Sequence, residues 1–112
     1  MQITIDIKTM DEQLTKPRAE STIVINMLKK TGLSGRRALE LYQRYGPDYI
    51  VRKLLHCEYV KPVDQRRYIQ ADLRDGYAES DGFHEWLRRR RTEMLLNENL
   101  PVEFRKIVGR IV

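Results

Sequence analysis

A chain of 112 residues, 41% hydrophobic and 33% charged, is long enough to bury one core and too apolar to stay disordered. No apolar run approaches the roughly 18 residues that read as a membrane span, and the opening Met1-Gln2-Ile3-Thr4-Ile5-Asp6 lacks the basic lead and apolar stretch of a secretory signal. The formal charge of +5 favours anionic partners through long-range attraction, nucleic acid the commonest of them.

In chain order, residues 1–19 form an arm and linker, and residues 20–112 the globular part. Ile3, Ile5 and Ile7 alternate with polar residues, a strand pattern without a second strand to pair with. Pro17 marks the linker. The first helix is expected from Glu20 or Ser21 to Lys30, with Ile23, Met27 and Leu28 inward. The β-branched run Thr22 to Ile25 makes a strand its competitor. A second helix runs from Gly35 to Tyr45, capped by Ser34, with Ala38, Leu41, Tyr42 and Tyr45 on one face. Gly46-Pro47 closes it. The third helix covers Asp48 to Cys57, with Ile50, Leu54 and Leu55 inward and Arg52 and Lys53 outward. Asp64 caps a fourth, Gln65 to Asp75, which Gly76 ends. Ser80 caps a fifth, Asp81 to Asn97, with Phe83, Trp86, Leu87, Met94 and Leu95 inward. Pro101 opens a last helix from Val102 to about Val112. The fold class is therefore all-α, a compact bundle of five or six short helices behind an extended N-terminal arm.

The basic surplus is densest in the middle of the chain. Residues 1–30 carry 5 basic and 4 acidic groups, 31–63 carry 6 and 3, and 64–112 carry 10 and 9. That middle segment holds Gly32-Leu33-Ser34-Gly35-Arg36-Arg37-Ala38, continuing through Leu41-Tyr42 to Gly46. Here the chain resembles the helix-hairpin-helix DNA-binding motif, in which a Gly-hydrophobic-Gly hairpin precedes a small residue at a helix crossing, a hydrophobic pair and a closing glycine. Gly32, Leu33, Ala38, Leu41, Tyr42 and Gly46 stand at matching positions. Ser34 occupies the place of the second glycine, and Gly35 follows at once. The resemblance implies sequence-independent contact with the DNA backbone, Gly32, Ser34 and Gly35 supplying hairpin backbone and Arg36 and Arg37 charge. Helix N-termini present unpaired N–H groups and a positive dipole end to such an anion. The same segment also fits a ubiquitin-associated-type protein-binding corner, a sequence-reading helix-turn-helix, or a plain helical corner. Tyr45 to Leu54 looks like the repeats of RecX-type recombinase regulators over ten residues.

Arg88-Arg89-Arg90-Arg91 is the longest charge run. On a helix four successive residues spread around the cylinder, which puts Arg88, Arg89 and Arg91 outside and Arg90 nearer the core edge. They serve either as phosphate contacts or as a solvated face paired with Asp81, Glu85 and Glu93 at helical spacing, for example Glu85 with Arg89. One cysteine, Cys57, excludes an internal disulfide framework, fits a reducing, cytoplasmic setting, and cannot supply a zinc site with two scattered histidines. No phosphate-binding loop, dinucleotide fingerprint or nucleophile elbow occurs. The expectation is a non-enzymatic, regulatory DNA-binding protein without metal or cofactor, with a protein–protein adaptor or inhibitor as the alternative. Ile107, Val108 and Ile111 make an apolar face near the C-terminus that either docks on the domain or forms a homodimer.

Overall fold

The computed structural model describes residues 19–111. The expected arm lies outside them, up to residue 18. Six helices follow in order: α1 (Ala19–Lys30), α2 (Gly35–Tyr45), α3 (Pro47–Val60), α4 (Gln65–Asp75), α5 (Asp81–Leu96) and α6 (Val102–Arg110). No strand occurs among the described residues, so the all-α class holds.

The contest over α1 goes to the helix. Val24 and Leu28, one turn apart, are fully buried, and Ile23 and Met27 flank them against the core. Burial of that stripe outweighs the low helix propensity of its β-branched residues. Ser34, Asp64 and Ser80 each accept a hydrogen bond from the backbone N–H three residues on, and so start α2, α4 and α5 where expected. Gly76 stops α4 in the left-handed conformation, φ 63°, donating its N–H to Asp72 O.

The third helix departs from expectation in two ways. It runs one turn beyond Cys57, to Val60, and ends through a left-handed Lys61. It is also the centre of the bundle, packing against all five other helices. Lys53, expected outward, is therefore buried beside His56, among Ile50, Val51, Leu54, Leu55 and Cys57. From Ile50 to Cys57 only Arg52 keeps partial exposure, so the polar side chains of that stretch must find partners inside.

At the far end, Ile107 and Val108 are fully buried and Ile111 nearly so, within this chain. Of the two expectations for that face, docking on the domain is what occurs. A dimer through Ile107, Val108 and Ile111 has no surface left to use. Arg110 secures the arrangement from outside. Its guanidinium reaches Asp48 at 2.7 Å and Glu20 at 3.1 Å, so the ends of α1 and α6 lie together.

Candidate nucleic-acid interface

Between α1 and α2 the chain turns at Thr31 to Ser34. The N–H of Gly32 donates to Lys29 O, and Gly32 itself sits at φ 109°, a conformation glycine adopts at little cost. Leu33 drops into the core and pins the turn. Ser34 then takes an extended conformation, and its Oγ accepts the N–H of Arg37 at 3.1 Å. The N–H groups of Gly35 and Arg36 have no intrahelical carbonyl, as at any helix start. Ala38 is fully buried where α2 crosses α1.

The N-terminus of α4 lies beside this turn. Its Asp64 accepts the N–H of Arg67 at 3.0 Å, just as Ser34 accepts that of Arg37. The two starts enclose a cleft of about 790 Å³ lined by Gly32, Leu33, Ser34, Arg37, Asp64, Arg66, Arg67 and Gln70. Arg37 spans it, donating Nε–H to Gln70 Oε1 at 3.0 Å. A second cleft of about 490 Å³ shares Arg37, Arg67 and Gln70 and continues to Arg44, Tyr45, Arg74 and Tyr77. Five arginines thus line a continuous depression against one carboxylate, Asp64, which is occupied as a cap.

The placement of these arginines runs against helix electrostatics. Four of the six helices carry an acid in the first turn: Glu20, Asp48, Asp81 and Glu103. Only α2 and α4 carry none, and each has two arginines there instead, Arg36-Arg37 and Arg66-Arg67. A cation at the positive end of a helix costs roughly 0.3–1 kcal/mol when exposed. The two unfavourable helix starts are the two that meet at the cleft. Among the described residues the guanidinium groups of Arg66 and Arg67 have no hydrogen-bond or ion-pair partner. Arg37 also touches Glu40 at 3.2 Å, an exposed pair of little energetic weight. Arg74 is held by its neighbour Asp75 at 2.9 Å. That hydrogen bond raises the arginine pKa and lowers the carboxyl pKa.

Of the residues expected to form the site, Gly32, Ser34 and Arg37 line the cleft. Gly35 and Arg36 sit at its edge, on the first turn of α2 and exposed. The arginine run on α5 is elsewhere. None of Arg88 to Arg91 lines the cleft, and their helix packs on α3 and α6. Arg88 and Arg89 are exposed, the latter near Glu85 at 3.6 Å. Arg90 pairs with Glu58 at 3.1 Å. Arg91, expected outside, folds onto α6, its Nη2 donating to Gly109 O at 3.3 Å and its Nε buried. The contribution of α4 was missed, although the sequence carries its signal. Ser34-Gly35-Arg36-Arg37 and Asp64-Gln65-Arg66-Arg67 share one pattern, a capping residue followed at the second and third positions by arginine.

The thiol and imidazoles do not form a reactive pair. Burial pushes the Cys57 thiol up to about 11, the reverse of an activated nucleophile. His84 Nε2 is engaged by Glu79 at 3.1 Å. Among the described residues, no group of three or more His, Cys, Asp or Glu side chains is placed to hold a metal ion, and no helix is long and apolar enough to cross a membrane.

The fold and site define an all-α bundle with an arginine-lined cleft between two helix N-termini. No family model, no curated protein and no solved structure matches the chain.

Proposed function

We propose that this protein binds nucleic acid, DNA in the first instance, by holding backbone phosphates in the cleft between the starts of α2 and α4. One observation carries the reading. Two helix N-termini, each with a pair of arginines and no acid in its first turn, α4 keeping only its Asp64 cap, open onto one depression. Dipole ends, unpaired N–H groups and guanidinium forks are all complementary to phosphate. Such an arrangement lowers the stability of the empty protein, and a bound anion offsets that cost. The resemblance of Gly32 to Gly46 to a helix-hairpin-helix motif supports the same partner, with Arg66 and Arg67, which line the cleft, in the role that the sequence offered to Arg88, Arg89 and Arg91, which do not.

The test is a titration of the full chain against labelled DNA at several salt concentrations, beside Arg66→Ala combined with Arg67→Ala. Both side chains are exposed, so folding should survive the change. Binding should weaken, and the slope of log affinity against log salt should fall by about 1.4–1.8, the value for two lost phosphate contacts. Arg88→Ala combined with Arg89→Ala should leave both quantities unchanged. Absence of binding at low salt would refute the reading. It would leave a protein adaptor, supported by the depression at Met27, Leu54, Cys57 and Pro62, rimmed by Lys30, Glu58 and Lys61.

A further inference from the structure

The second half of the depression contains something that phosphate binding does not need. Tyr77 lines it together with Arg44, Arg67 and Arg74, and remains 38% exposed. An exposed aromatic ring in a connecting segment is ordinarily mobile. This one is held. The backbone N–H of Tyr77 donates at 2.8 Å to Oδ1 of Asp72, a carboxylate with no exposed surface. The other oxygen of Asp72 is fixed by His56 Nδ1 at 2.7 Å, and Lys53 Nζ lies 3.5 Å from the first. Gly76, in its left-handed conformation, turns the chain out of α4 immediately before the ring. Tyr68 meets the ring edge-on, with centroids 5.3 Å apart. Three buried polar groups thus fix the main chain at one exposed tyrosine, and Tyr68 backs its ring, at the end of an arginine track.

On this basis, and resting on the function proposed above, we infer that the cleft takes a single strand, its phosphates along Arg66, Arg67 and Arg37 and an unpaired base against Tyr77. In a duplex the faces of the bases are already stacked on one another, so a ring beside the backbone has nothing to meet. In a single strand each base offers a face, and stacking on an aromatic ring tolerates any sequence. A ring fixed in advance also loses less freedom on binding.

The experiment compares the full chain and Tyr77→Ala and Tyr77→Phe variants in anisotropy titrations. The probes are a labelled oligothymidylate, an abasic strand of equal length and a duplex, each at two salt concentrations. The single strand should bind more tightly than the duplex. Tyr77→Ala should weaken oligothymidylate binding about 5- to 150-fold, the range for one lost base stack, and leave the abasic strand unaffected. Tyr77→Phe, which keeps the ring, should bind as the parent does. Equal loss for thymidylate and abasic strands would mean that Tyr77 only supports the fold, and would overturn the inference. Tight, arginine-dependent duplex binding indifferent to Tyr77→Ala would also overturn it while leaving the phosphate cleft standing. If no probe binds at low salt, both fall together.

Discussion

A carboxylate without exposed surface must satisfy both oxygens inside the protein, and Asp72 does so with groups from two directions. His56 and Lys53 reach it from α3, and the Tyr77 N–H from the turn after α4. Removing one member of such a cluster leaves the others buried without a partner, which costs more than the cluster itself contributes. Asp72→Asn keeps the shape and removes the charge. It should lower unfolding free energy in urea by about 3 kcal/mol or more, and a second change, Lys53→Met, should restore part of the loss. None of this was legible in the sequence. Asp, His and Lys are mostly surface residues, and periodicity places them on whichever helix face the apolar residues leave free. Lys53 followed that rule on paper. It is buried because the other helices cover the middle of α3, from Ile50 to Cys57.

Whole helices were far more legible than single polar residues, because their ends are local chemistry. Ser34, Asp64 and Ser80 mark starts, and Gly46 and Gly76 mark stops, without reference to anything distant. The strand competitor for α1 was decided by packing against α2, α3 and α6, which no local signal contains. The cleft lay between these cases. Its hairpin half was visible as a motif, whereas its α4 half needed α4 to be set beside α2. The arginines at these helix starts carry an energetic signature that separates function from structure. Arg66→Glu replaces an exposed cation at a positive helix end with the charge that end prefers. It should raise unfolding stability by about 0.5–1 kcal/mol, measured by thermal or urea unfolding, while weakening DNA binding in the same preparation. A site kept for stability would lose on both counts or neither.

At the level of the molecule, the connection between α4 and α5 is fastened at Glu79. Arg52 of α3 donates to its two carboxylate oxygens at 2.7 and 2.8 Å, and also to the Ile111 carbonyl at the end of α6. His84 of α5 and Lys53 stand near the same carboxylate. The Arg52 hydrogen bonds hold its pKa at about 2, down from 4.5. A depressed carboxyl pKa adds stability above the unfolded value, and that stability disappears as the group is protonated. The unfolding temperature should therefore fall as pH drops from about 4.5 towards about 2. Glu79→Gln should be less stable at neutral pH and lose less on acidification, which a set of calorimetric scans would show.

The meeting of α1 and α6 has a consequence in time. Glu20 and Arg110, joined at 3.1 Å, stand 90 residues apart in the chain. Phe104, Ile107 and Val108 of α6 complete the core that α1 shares. A ribosome adding about 5–20 residues per second takes roughly 5–18 s to cover that distance. Through most of that interval Val24 and Leu28 have been made while α6, which covers part of their surroundings, has not. The nascent protein thus carries an open apolar seam for seconds. It is in that interval, more than in the finished bundle, that it would meet chaperones or aggregate.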